Sequence, residues 1–340
     1  MKFIKWNDAA IRLTGRWSRP DLLGYDSSRF INESPDFTVT TAAGSYFELG
    51  FSGRLVVLHF ELNGSMEPRL HLWISVDGGA MAEAPIDRYL RVLAPSGGEH
   101  TLRVIFKGAM EMQPRWYAPQ TARVAFIGAD VEDTAPLAAD NRAIIEFVGD
   151  SITEGVLIDA DFAKVSPNAY DQMDRPYQDD ACATYAWLTA EKLNMRPIFQ
   201  AYGAVGLTRS GCGGVPRAAL IYPYVIEGVR YVGEKPDVIV INHGANDCGA
   251  SAEEYIERYG ELLDTVSRAH PKAKIIVLSP FLGAFDAELR DFVKAYNEKN
   301  QSSVHFISSK GWVPPEPLHP LREGHRRIAS LLAPELEKIL

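Results

Sequence analysis

Apolar and polar residues alternate with two different periods along this chain, and the change of period falls near residues 130–140. Before it, the runs Leu55 to Leu62, Arg69 to Val76 and Thr101 to Phe106 alternate residue by residue, separated by Asn63-Gly64, Asp77-Gly78-Gly79 and Ser96-Gly97-Gly98. A period of two buries one face of a strand and wets the other, and such turn pairs supply the positive φ that tight hairpins need. This half predicts antiparallel β structure, a sandwich or jelly roll.

After it, short continuous apolar runs, Ile144 to Val148, Ile198 to Tyr202, Val238 to Asn242 and Ile275 to Leu278, alternate with helix-period stretches over Thr184 to Leu193, Ala252 to Ala269, Asp286 to Asn300 and Arg322 to Leu340. Strands apolar on both faces, each followed by an amphipathic helix, predict a doubly wound α/β domain around a parallel sheet. The stretch Asp133 to Asp140 reads as the link, giving an accessory β domain over 1–136 and an α/β domain over 137–340.

At 340 residues and 46% apolar composition, the chain can bury two cores, and its 23% of charged residues is ordinary for a folded protein. A net charge of -9 weighs against nucleic acid or an anionic membrane as a partner. Met1 to Asp8 shows no apolar stretch after its basic residues and no small-residue cleavage site, which predicts a cytoplasmic location. Cys182, Cys212 and Cys248 are odd in number and lack CxxC spacing, in keeping with free thiols. The scattered histidines predict no metal site.

Four patches carry the candidate chemistry: Gly149 to Thr153 (Gly-Asp-Ser-Ile-Thr), Gly203 to Gly206, Gly244 to Asp247 (Gly-Ala-Asn-Asp) and Glu316 to His319. Three directly follow a strand-like run, the edge where open α/β sheets bind ligands. Each has a plain structural alternative. Ser151 with Glu154 matches a helix capping box, the glycines suit loops, Asn246 suits a turn and His319 a proline-rich surface loop. Asp150, Asp247 and His243 are read as loop and strand-end supports. Together, however, the patches supply a serine nucleophile, a base and donors for an oxyanion, the parts that acyl transfer requires.

In these patches the sequence resembles the SGNH hydrolases, or GDSL-type esterases, from about Ala143 to the C-terminus. With a β domain in front, it is similar in architecture to the family two carbohydrate esterases. The resemblance implies Ser151 as nucleophile, His319 as general base and an oxyanion hole of the Ser151 N–H, a loop N–H and the Asn246 side chain. For the loop N–H both Gly206 and Ala204 align, and Gly206 is preferred. The family places aspartate three residues before the histidine; here Glu316 stands there, as orienter of His319 or as a solvated loop residue. No cofactor is implied.

The expected substrate is an acetylated oligosaccharide derived from xylan or mannan. Trp312, Tyr177 and Arg209 are the candidate substrate-binding residues, because sugar rings stack on flat side chains while their hydroxyls seek polar partners. Residues 156–180 are read as a rim or lid. The alternatives are a lipase, thioesterase or acyltransferase of the same fold, and a carbohydrate-binding first domain with Trp73, Trp116 or Tyr117 on an exposed face.

Overall fold

The computed structural model describes residues 1–23, 36–62, 67–161 and 175–340. Up to Thr134 the chain forms two antiparallel sheets. One has the order Lys2–Lys5, Val124–Val131, Leu55–Glu61, Tyr89–Leu93, with Thr38–Thr40 also paired to Val124–Val131. The other runs Asp133–Thr134, Tyr46–Ser52, Glu99–Gly108, His71–Val76, Ala82–Pro85, with Ile11–Thr14 paired to Tyr46–Ser52. Val56, Leu58 and Phe60, alternate residues of one strand, meet Leu49, Phe51, Leu72 and Leu102 from the other sheet in a single core. This is the sandwich the alternation predicts. The Asn63-Gly64 turn lies outside the described residues.

From Ile144 onward a parallel sheet has the order Arg196–Ala201, Ile144–Gly149, Val238–Asn242, Lys274–Leu278, His305–Ile307. Alternate residues of each strand face opposite layers. Val238 and Val240 pack with Tyr185, Trp187, Ile328 and Leu332 of helices Tyr185–Lys192 and Arg322–Glu337. Ile239 and Ile241 pack with Tyr259, Leu263, Leu289 and Val293 of helices Ala252–Ala269 and Asp286–Asn300. Burial on both faces explains why these strands read as unbroken apolar runs. The strand His305–Ile307 escaped the sequence pattern because three residues are too few to show a period.

The two halves share their interiors. Tyr46 and Ile105 of the sandwich join one α/β core, and Ala42 and Trp116 join the other. The tryptophans considered as an exposed sugar-binding face are turned inward: Trp116 is 5% exposed, and Trp73 donates its indole N–H to Asp180 at 3.0 Å. Tyr117 alone of the three stays at the surface, half exposed.

Charge crosses the seam as well. Arg16 of the sandwich, fully buried, donates to Glu146 on the central parallel strand at 2.6 and 3.0 Å and to the Tyr222 carbonyl at 2.6 Å, while the Tyr222 hydroxyl donates to the other Glu146 oxygen at 2.6 Å. Removing one partner of such a pair strands a charge in a medium that cannot solvate it. Arg16→Met is therefore expected to lower the unfolding free energy by about 3–5 kcal/mol in urea melts, and Arg16→Met with Glu146→Leu to recover part of that loss.

Candidate active site

Three adjacent strands bring three of the four patches together. Ile144–Gly149 lies between Arg196–Ala201 and Val238–Asn242, so the loops leaving their carboxyl ends, bearing Ser151, Ala204 and Asn246, start side by side. Asp150, not Ser151, caps the short helix Ser151–Glu154, its carboxylate accepting the Ile152 N–H at 3.0 Å. The capping-box reading fails at its other end too, since Glu154 pairs with Arg115 of the sandwich. Relieved of capping, the Ser151 hydroxyl lies 2.8 Å from His319 Nε2. Burial pushes the Asp150 carboxyl up to about 7, so this cap holds a proton more readily than an exposed aspartate.

His319 is 6% exposed, and burial, helped by the positive charge of Arg175, pushes its pKa down to about 4. The imidazole is therefore neutral through the physiological range and has a lone pair to offer the serine proton. Glu316 is not positioned as the expected orienter. It stands exposed on the loop, and among the described residues no hydrogen bond joins it to His319. On a loop with three prolines around it, Glu316 stands at the surface.

Of the two loop N–H groups expected as oxyanion donor, the preferred one is already engaged. The Gly206 N–H donates to the Arg209 carbonyl at 3.1 Å and closes a turn, so it is not free to meet a substrate. Ala204, with φ of 57°, lines the cavity beside Ser151, and among the described residues its N–H has no protein acceptor. Asn246 lines the same cavity, one amide N–H held by the Val205 carbonyl at 3.1 Å, which fixes the side chain and leaves its second N–H. Asp247 supports the arrangement as expected: its carboxylate accepts the Leu207 N–H, the Thr208 N–H and the Thr208 hydroxyl, tying the second loop to the third. His243 is buried beneath, and burial pushes it down to about 4.

A cavity of about 360 Å³ opens over the serine, lined by Glu111, Met112, Ser151, Ile152, Ala204, Cys212, Ala245, Asn246, Leu318 and His319. None of the expected substrate-binding residues is among them. Trp312 is half-buried and packs on the core that holds Tyr185 and Ile328. Tyr177 is exposed, its ring set edge-on to His71 at 4.2 Å between centroids. Arg209 is exposed and serves the site through its carbonyl, as the brace of Gly206. Residues 162–174 of the expected rim lie outside the described residues. Its flanks are tied down: the Leu157 N–H donates to Asp179 at 2.7 Å, and Arg322 donates to Asp180 at 2.9 Å.

The residues that sequence reasoning missed are Glu111 and Met112. They come from the sandwich and reach the cavity across the seam. Gly203 makes room for them, since a Cβ there would sit 2.1 Å from Glu111 Oε2. The glycine read as a loop residue was the available signal, but its partner, far away in sequence, was not visible.

Comparison with known proteins agrees with this geometry. The GDSL-like Lipase/Acylhydrolase family matches residues 147–327. The chain is 31% identical over 245 residues to the cellulase/esterase CelE of Acetivibrio thermocellus, an alignment covering 64% of this chain and 28% of that much longer protein. Among solved structures, a family two carbohydrate esterase from Clostridium thermocellum in complex with cellohexaose superposes with a TM-score of 0.73 at 24% identity, over 96% of this chain and 98% of that one. An acetyl xylan esterase from the rumen bacterium Butyrivibrio proteoclasticus does so with a TM-score of 0.77 at 17% identity, over 99% of each chain. Those last two likenesses speak to the two-domain fold, whereas the family match spans the strands, the loops and the Ser151–His319 pair, and this chain belongs to the GDSL-like lipase/acylhydrolase family.

Proposed function

We propose that the chain is a serine esterase that removes acetyl groups from O-acetylated oligosaccharides. The observation that carries this reading is the 2.8 Å approach of Ser151 Oγ to His319 Nε2 at the floor of a small, largely apolar cavity. A serine hydroxyl is a poor nucleophile until a neighbouring base takes its proton, and neutral His319 is placed to do so. As Oγ bonds to the ester carbon, the proton passes to Nε2 and negative charge moves onto the carbonyl oxygen. The N–H groups of Ser151 and Ala204 and the Asn246 amide are the donors assigned to that oxygen. Collapse of the intermediate expels the sugar oxygen, which takes the proton back from His319. Water then attacks the acetyl-serine by the same route, releasing acetate and restoring Ser151.

The cavity wall of Met112, Ile152, Ala204, Ala245 and Leu318 suits a short acyl group, and its size favours acetyl over a long chain. Similarity to the cellulase/esterase CelE, and to the two-domain fold of an acetyl xylan esterase, supports a carbohydrate ester as substrate. Xylan- and mannan-derived oligosaccharides are the substrates to compare. Acting on soluble fragments of that kind would suit the cytoplasmic location expected from the sequence, and among the described residues no helix is long and apolar enough to cross a membrane.

Acetate release from acetylated xylo- and manno-oligosaccharides tests the reading. Wild type is expected to release acetate, and Ser151→Ala to lose about a thousandfold or more of that rate. No release from either sugar by wild type overturns the reading. Asn246→Ala is expected to cost about a hundredfold in kcat, the usual loss on removing one oxyanion donor. Glu316→Gln is expected to retain nearly full turnover, because its carboxylate does not reach the imidazole.

The pH profile follows from the His319 environment. A base is active when unprotonated, and the pKa of this one is lowered from 6.5 to about 4, so it stays competent as pH falls through the range where an ordinary histidine is lost. Initial rates on a simple aryl acetate are expected to place the acid limb of kcat/KM near pH 4. A limb near 6.5 would show that the imidazole is solvated in the working enzyme.

A further inference from the structure

The wall of the catalytic cavity contains a group that the acyl-transfer steps do not use. Glu111, on the sandwich segment that follows strand Glu99–Gly108, lines the cavity with Ser151, and its side chain is 3% exposed. Among the described residues no donor comes within hydrogen-bond distance of its Oε1; the nearest cation, Arg175, stands 3.6 Å away. Buried polar atoms in native proteins are nearly always hydrogen-bonded, so a buried carboxyl oxygen left without a donor beside a catalytic serine calls for an explanation.

Its neighbours explain how it is held but not why it is needed. Arg115 pairs with Glu154 and donates to the Ala109 carbonyl at 2.9 Å, and Arg175 lies 3.3 Å from Asp179. Among the described residues, Glu111, Glu154 and Asp179 face the guanidiniums of Arg115 and Arg175, all within 3% side-chain exposure. Burial, opposed by Arg175, pushes the Glu111 carboxyl up to about 7, and Asp179 rises to about 6 by the same cause.

The cavity itself narrows what could satisfy Glu111. An acetyl group has no N–H or O–H to give. The leaving sugar does, in the free hydroxyls that flank its ester. A space of about 360 Å³ that also holds the acyl group leaves the alcohol part next to the ester as what can reach Glu111. The remaining wall is Met112, Ile152, Ala204, Ala245 and Leu318, with Cys212 held as a neutral thiol because burial pushes it up to about 11. On that wall Glu111 is the strong acceptor.

We propose that Glu111 is a specificity-determining residue of the esterase, its carboxyl accepting a hydrogen bond from a free hydroxyl adjacent to the ester-bearing carbon. The proposal rests on the esterase reading and deepens it. It makes the sandwich part of the site: the hydrolase half supplies the chemistry, and the sandwich half reads the alcohol being released. It also gives Gly203 a reason in function, since a side chain there would displace the carboxyl from the cavity.

The test uses two small esters that differ by one hydroxyl, trans-2-hydroxycyclohexyl acetate and cyclohexyl acetate. For wild type, kcat/KM is expected to favour the hydroxylated ester by about tenfold, the scale of one hydrogen bond to a charged or partly charged acceptor. Glu111→Ala is expected to bring the ratio near one. Glu111→Gln, which keeps the volume and an acceptor oxygen but not the charge, is expected to fall between, and serves if the alanine variant does not fold. A brace between domains would show otherwise: both esters would lose rate together and the ratio would hold. An unchanged ratio in both variants, or no preference in wild type, overturns the proposal while leaving the esterase reading intact. Failure of wild type to hydrolyse either ester, joined to no acetate release from the acetylated oligosaccharides, overturns the esterase reading and the role of Glu111 with it.

Discussion

The buried charge that crosses the seam between sandwich and α/β half is the constraint on which the site depends. Arg16 with Glu146, Arg115 with Glu154, and Arg175 between Glu111 and Asp179 all lie in the interior. Lys107 adds three hydrogen bonds, at 2.8 to 3.0 Å, to the carbonyls of Pro176, Tyr177 and Asp179. An ion taken out of water costs several kcal/mol unless its partner is placed well, so each of these pairs tolerates little displacement of one half against the other. Directional contacts of this kind define a register that apolar packing alone would leave looser. Glu154 shows the economy of the arrangement: it sits three residues beyond Ser151, so the ion pair that joins the halves also anchors the helix that carries Ser151.

From that fixed frame the position of the candidate catalytic groups follows by topology. The strand leading to Ser151 has as neighbours the strands leading to Ala204 and Asn246, so residues more than fifty positions apart meet without any long excursion of chain. His319 arrives from the loop beyond the edge strand and is brought back over the serine. Small groups then tune the place. Asp150 takes the capping duty that would otherwise occupy Ser151, and Asp247 holds the loop of Ala204 by three hydrogen bonds to Leu207 and Thr208.

How much of this was legible in the sequence depended on the range of the interaction. That Ser151, Asn246 and His319 would line one cavity could be read because their motifs are local, and strand-then-turn placement is a consequence of short-range pattern. The helices Ala252–Ala269 and Asp286–Asn300 could be read to the residue, since their apolar periodicity is sustained over four turns or more. Sequence could not choose between Gly206 and Ala204, because the bond that engages the Gly206 N–H, to the Arg209 carbonyl, follows from the folded loop. Trp312 and Tyr177 were chosen for ring chemistry near a motif, but sequence proximity does not say which way a ring points. Glu111 was out of reach altogether. Its place beside Ser151 depends on how the two halves dock, and no window of sequence around it carries that information.

The electrostatics of His319 show what the docking does to the chemistry. Burial and Arg175 make the imidazole a weak base in the resting site, which at first sight opposes catalysis. The opposition is removed where it matters, in the transition state, when negative charge grows on the ester oxygen a few ångströms away and makes the imidazolium far more favourable than it was beside a neutral hydroxyl. A site that keeps its histidine neutral leaves the driving force for proton transfer to the oxyanion and the donors that receive it. The precision of Ala204, Asn246 and the Ser151 N–H then matters more than the reach of Glu316, and that precision is what the charge-locked seam and the Asp247 tether provide.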